Sequence, residues 1–148
     1  MKSISFRVPG IPATAGSKKP FLYRGKDGKQ HASMAPDNKR QKPWMNQVAL
    51  FASQVYHDPP MTGAVKLVIE FTFSRPKSHF GTGKNADVLK PSYAKYMTKK
   101  PDVSKMVRAV EDALTGIVWK DDSQVISLDA SKRYGDRPGA AITIWEME

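Results

Sequence analysis

From Val65 to Phe73 every second residue is apolar: Val65, Leu67, Ile69, Phe71 and Phe73 alternate with Lys66, Val68, Glu70 and Thr72. Successive side chains of a strand point to opposite faces, so this segment is predicted to be a strand with one face in the core and one toward water. Such a strand needs partners, and the chain supplies them. Ile4, Phe6 and Val8 alternate with Ser3, Ser5 and Arg7 before Pro9-Gly10 breaks the run. Val125 to Tyr134 and Ala140 to Met147 read as two more strands around the turn Gly135-Asp136-Arg137-Pro138-Gly139. Pro20 to Tyr23 and Gln30 to Met34 flank a short polar link containing Asp27-Gly28, a hairpin signal.

Two segments have helical spacing instead. After Pro43, which suits a first helical position, Trp44, Val48, Phe51 and Val55 predict a helix to about His57, ended by Asp58-Pro59-Pro60. Val103, Met106, Val107, Val110, Ala113 and Leu114 predict a second amphipathic helix, with Asp102 as its N-cap and Gly116 suited to its C-terminal end. The order β, hairpin, α, β, α, β, β predicts a single α+β domain over residues 1–148, a mixed β-sheet packed with two main helices. With 148 residues the chain can bury a real core without staples, and with no cysteine it has none. Its apolar runs fall far short of the roughly 20 residues of a bilayer-spanning helix. Arg7 interrupts the amino-terminal segment before a signal-peptide core could form, so a soluble, cytoplasmic protein is expected.

The net charge of +10 is unevenly placed. Residues 17–44 carry eight Lys/Arg against two acids, residues 75–101 carry seven against one, and the remainder is slightly acidic. Both basic stretches are rich in Gly, Pro and Tyr, which suggests loops gripping a polyanion, with nucleic acid ahead of an anionic membrane surface. Residues 75–101 have no usable period and are expected to form a long, mobile loop. Arg75, Lys77, Lys84, Lys99 and Lys100 are its candidates for backbone-phosphate contact, and Phe80, Tyr93 and Tyr96 are candidates for stacking on unpaired bases. Gly81-Thr82-Gly83-Lys84-Asn85 fails the phosphate-binding P-loop pattern, because Ser78 stands where its first Gly belongs and Asn85 where Ser or Thr should follow the Lys. His31, His57 and His79 lie in separate segments, which argues against zinc.

The acids gather elsewhere. Asp102, Glu111, Asp112, Asp121 and Asp122 lie within 21 residues that hold only Lys105, Arg108 and Lys120 as bases. A carboxylate cluster in a DNA-attracting protein calls for an offsetting cation, and Mg²⁺, a hard ion that takes carboxylate oxygens and activates water, is the natural candidate. Each acid also has a plainer reading: Asp102 as a helix cap, Asp121-Asp122 as turn residues, and Asp112 as the i+4 ion-pair partner of Arg108.

Taken in order, Pro101-Asp102-Val103-Ser104-Lys105-Met106-Val107-Arg108, Asp112-Ala113-Leu114-Thr115-Gly116 and Trp119-Lys120-Asp121-Asp122-Ser123-Gln124-Val125 resemble the RusA family of Holliday junction resolvases, often encoded by phages or prophages. Val8-Pro9-Gly10-Ile11-Pro12 with Lys18-Lys19, and Ile142-Thr143-Ile144 near the end, fit the same pattern. The resemblance implies a homodimeric, Mg²⁺-dependent endonuclease, with Mn²⁺ as an alternative ion, that makes paired symmetric nicks in four-way DNA junctions. It assigns Asp102 and Asp122 as catalytic acids, matches Asp112 to the acid before Ala-Leu, and places Arg108 where the family has lysine. Arg108 keeps the charge but cannot donate a proton near neutral pH. Asp102, Asp122, Asp121 and Asp112 form the expected metal set. Lys18, Lys19 and Lys105 join the loop cations as DNA contacts.

One departure stands inside this motif. Where the family has a second acid followed by Asn, this chain has Ser104 and Lys105. The change removes a ligand and adds an opposing charge, so either Asp121, Asp112 or Glu70 completes the site, or the protein binds branched DNA and cuts it weakly or not at all. A basic RNA- or protein-binding module would account for the charge pattern but not for the acids.

Overall fold

The computed structural model describes residues 2–15, 18–36 and 39–148, with only the backbone described at 18–21 and 33–36. Eight main elements follow in the expected order: β1 (Lys2–Pro9), β2 (Lys18–Arg24), β3 (Gln30–Pro36), α1 (Gln41–Val55), β4 (Val65–Phe73), α2 (Val103–Leu114), β5 (Val125–Tyr134) and β6 (Gly139–Glu146). The main sheet has the order β1-β6-β4-β5. Its β1–β6 and β6–β4 pairs are antiparallel and β4–β5 is parallel, so the expected mixed sheet and α+β class are both present. Strands β2 and β3 form a separate hairpin. At its tip Gly28 takes φ +75°, open to glycine at no steric cost, and Asp27 Oδ1 accepts from Lys29 N at 2.9 Å.

The helices cover one face of the sheet, α1 against β1 and α2 against β5, and pack on each other. The alternating apolar residues of β4 are all buried there, joined by Val8, Ile142 and Ile144 from the neighbouring strands. Helix α2 buries Met106, Val107, Ala109, Val110, Ala113 and Leu114, and α1 buries Trp44, Val48 and Ala52. Helix α1 begins two residues before Pro43, because proline is tolerated throughout the first turn where no intrahelical N–H bond is needed. It also stops at Val55, which is exposed; Tyr56 turns extended and its hydroxyl donates to Pro59 O at 2.6 Å.

Residues 75–101 form the expected long loop, without a main helix or strand. Two 3-10 turns, Lys77–His79 and Gly83–Asn85, and a Phe80–Leu89 bridge organise them. A Cβ on Gly81 would lie 2.8 Å from Asn85 O, and Gly83 takes φ +55°, so both glycines serve a tight turn. Strand β5 is an edge strand: among the described residues it pairs only with β4, and Ile126 and Leu128 are 66% and 49% exposed on it. No helix among the described residues is long and apolar enough to cross a membrane.

Leu67 is fully buried and Leu50 is half exposed. Leu67→Ala should cost about 2–5 kcal/mol by denaturant unfolding and Leu50→Ala about 0.5 kcal/mol or less, and near-equal costs would contradict this placement of the core.

Candidate active site

Asp102 stands at the N-terminal end of α2 with extended backbone, φ −73° and ψ 138°. Its carbonyl starts the helix by accepting from Met106 N at 3.1 Å, but its carboxylate makes no capping hydrogen bond. Capping therefore does not account for this aspartate. The carboxylate is 54% exposed and has Lys105 Nζ at 3.8 Å, so the lysine that departs from the family pattern partly neutralises the first acid. Lys132 of β5 reaches under the incoming chain and donates to Lys99 O at 2.6 Å and Pro101 O at 3.0 Å, fixing the approach to Asp102. The alternating pattern of β5 gave no hint of this role.

Asp122 belongs to the opposite end of the helix. Beyond Leu114 the chain folds back on buried Trp119, whose Nε1 donates to Thr115 Oγ1 at 3.0 Å. Gln124 then clamps the Asp121-Asp122 turn: its Oε1 accepts from Lys120 N and Asp121 N, and its Nε2 donates to Met61 O and Gly63 O, all at 2.9 Å. Asp121 caps the short 3-10 turn by accepting from Ser123 N at 2.8 Å, and that bond holds its carboxyl below the ordinary aspartate range. Both acids are exposed; Asp121 is engaged by the turn, and the Asp122 carboxylate does not cap it.

Glu111, half-buried in the third turn of α2, lies within electrostatic reach of Asp122 and Asp112. Burial first, then the charges of Asp122 and Asp112, push its carboxyl above the usual glutamate value. All three acids sit near the negative end of the helix dipole, where carboxylates are disfavoured unless a cation offsets them. Reading the sequence did not single out Glu111 as a site residue; only its i+1 neighbour Asp112 carried a motif.

The two ends are far apart within one chain. Nine residues of helical rise separate Asp102 from Glu111, roughly 13 Å. Along β5, Asp122 lies just before Val125, while Pro101, next to Asp102, is tied to Lys132, seven residues or about 23 Å further on. Among the described residues, no three acid or imidazole groups stand close enough to hold one metal ion. The expected metal set, Asp102 with Asp112, Asp121 and Asp122, is thus divided between the two ends of α2, and its hard carboxylate oxygens are the donors Mg²⁺ takes, one or two at a time. Arg108 is exposed between the two ends, and the Arg108–Asp112 ion pair expected from spacing does not form. Glu70 faces away from α2, on the other side of the sheet, where Arg133 Nε donates to its Oε1 at 2.9 Å.

Residues 15–145 match the family model of the endodeoxyribonuclease RusA. The chain belongs to the RusA endodeoxyribonuclease family. It is also 33% identical over 147 residues to the uncharacterized protein YqaN of Bacillus subtilis (strain 168), with 99% of each chain covered. RusA membership brings with it an enzyme class, the Holliday junction resolvases, which act on branched DNA in recombination.

The loop cations of this RusA fold lie on the stretch of chain that leads to Asp102. Lys99 and Lys100 are exposed just before it, and Lys77 and Lys84 are exposed on the 3-10 turns of the loop. Arg75 differs: its guanidinium lies between Tyr93 and Tyr134, 4.9 and 4.7 Å from the ring centroids, and donates to Ala94 O at 2.6 Å. It ties the loop to β5, and Tyr93 is engaged with it. Tyr96 remains 72% exposed. Lys18 and Lys19 are in β2, with side chains outside the described residues.

The raised carboxyl of Glu111 has a consequence for stability. Its folded-state value lies above the unfolded one of about 4.5, so the fold is penalised while the group is ionised, and the penalty fades as pH falls through the raised value. Glu111→Gln should raise Tm near neutral pH and converge with wild type near about pH 4, measured by thermal melts across that range.

Proposed function

We propose that the protein is a homodimeric, Mg²⁺-dependent Holliday junction resolvase whose two active sites are each completed across the dimer. The observation that carries this reading is the placement of Asp102 and Asp122 at opposite ends of α2. A two-fold axis beside the middle of β5 would run that strand antiparallel to its copy, and α2 with it. Asp102 of one chain would then meet Asp122 of the partner subunit, twice, as an isologous interface requires. The open edge of β5, with Ile126 and Leu128 exposed on it, supports this choice of surface.

In such a site the donors are hard carboxylate oxygens: Asp102 from one side, and Asp122 with Glu111 from the other. Glu111 takes the place of the acid missing at Ser104. When bound, Mg²⁺ supplies phosphate polarisation and a water of lowered pKa. Arg108, on the exposed face between the acids, holds phosphate charge without giving up a proton. Lys77, Lys84, Lys99, Lys100 and Lys105 grip the backbone of the junction arms, with Lys18 and Lys19 from the hairpin, while Arg75 keeps the loop in place. Two sites related by the dimer axis suit two symmetric cuts in a two-fold substrate.

A specific observation favours a second reading, a branched-DNA binder without nuclease activity. Lys105 Nζ stands 3.8 Å from the Asp102 carboxylate and competes with a cation for it. The two readings separate with a labelled four-way junction and a matched linear duplex, each with Mg²⁺ and with EDTA. The resolvase reading predicts paired nicks in the junction only, and only with Mg²⁺. It also predicts that Asp102→Asn abolishes nicking while leaving junction binding intact or tighter, since repulsion toward phosphate is lost. Tight, selective junction binding with no nicking under any divalent ion would establish the binder instead.

A further inference from the structure

The face of the sheet opposite the helices carries a depression that neither the acids at the ends of α2 nor the loop lysines line. Its cavity volume is about 490 Å³, and three arginines border it: Arg7 of β1, Arg133 of β5, and Arg137 of the β5–β6 turn. Strand register explains the concavity. Arg7 pairs with Ala141, Ala141 with Glu70, and Thr72 with both Gly139 and Arg133. Small residues thus make the floor between long arginine walls. The glycines at its edge are sterically required. A Cβ on Gly139 would lie 2.4 Å from Val8 O and 3.1 Å from Arg7 Nη2, and one on Gly135 would lie 2.7 Å from Thr72 Cγ2.

Two of the arginines are fixed in advance. Arg7 Nη2 donates to the Arg137 carbonyl at 2.7 Å, and Arg133 is held through Nε by Glu70, which leaves other N–H groups of each guanidinium for a ligand. Arg137 has no side-chain hydrogen bond or ion pair among the described residues. Against these three charges stand Glu70, already engaged by Arg133, and Asp136 at the rim. Planar guanidinium forks around a polar, open floor match the oxygens of a phosphodiester.

The depression also leads toward the active end. A smaller hollow lined by Ser74, Arg75, Phe80, Gly135 and Asp136 shares Gly135 and Asp136 with it and borders the basic loop, which runs to Asp102. We infer that Arg7, Arg133 and Arg137 form a second backbone-phosphate site, on the outer sheet face, that holds a duplex arm of DNA after it passes the basic loop. This inference rests on the DNA-acting reading above. It adds a contact surface outside both basic segments of the sequence, built from arginines scattered over 130 residues.

The test measures four-way junction binding by fluorescence anisotropy over a salt series, with Tm as the check on folding. Arg137→Gln should weaken binding roughly five- to tenfold at about 0.1 M salt and lower the salt slope by about one, equally for junctions of different sequence. Arg137→Lys should keep the slope, and Asp136→Asn should tighten binding. Arg7→Gln should act like Arg137→Gln if it folds; Arg137 and Asp136 decide the matter if it does not. Wild-type affinity and slope in Arg137→Gln and Asp136→Asn, while Lys77→Gln weakens binding, would overturn the outer-face site alone. Failure of the wild-type protein to bind DNA would overturn the functional reading and this site together.

Discussion

The parallel pairing of β4 with β5 sets the geometry on which everything else depends. Parallel strands cannot be joined by a tight turn, so after β4 the chain must travel back to the starting end of the sheet before β5 begins. Helix α2 makes that return, buried against the sheet through Met106, Val110 and Leu114. Residues at its two ends are thereby held at opposite ends of the sheet. Trp119 and the Gln124 clamp lock the far end, and Lys132 locks the near one, so the separation of Asp102 from Asp122 is a rigid property of the fold.

On the proposed reading, that separation makes each chain supply two half-sites. At one end Asp102 is freed from capping and faces Lys105; at the other Asp122 and Asp112 push the Glu111 carboxyl up, and none of these three acids forms an ion pair among the described residues. Each half is electrostatically incomplete in a complementary way, one short of acids and one with acids in excess. A two-fold interface along β5 would bring one half of each kind together.

Much of the fold was legible because its signals are local. The period-two runs of β1 and β4, the turn between β5 and β6, the helical spacing of 103–114 and the Asp-Gly hairpin all depend on neighbours within a few residues. The start of α1 was misplaced by two residues because proline is compatible with any position of a first turn. The turns of the loop were not legible because they are anchored by distant partners, Arg75 against Tyr134 above all. The motif residues of the site were legible as a resemblance, but their separation was not, since sequence spacing says nothing of which end of a sheet a residue occupies. Gln124 and Lys132 were missed for the same reason, since each acts through a contact with another segment, and Glu111 was counted among the clustered acids without a role. The outer-face arginines lie in unrelated strands and a turn, and only strand register places them side by side.

The shared active site is tested most directly by mixing two inactive proteins, Asp102→Asn and Asp122→Asn, under conditions that exchange subunits. If each site takes Asp102 from one chain and Asp122 from the other, every mixed dimer has one intact site and one doubly damaged site. Nicking should return to about a quarter of the wild-type sites at equal mixing, as single unpaired nicks in the junction. Continued inactivity of a mixture in which mass measurement confirms mixed dimers would show that each chain holds its own site, and would contradict the account.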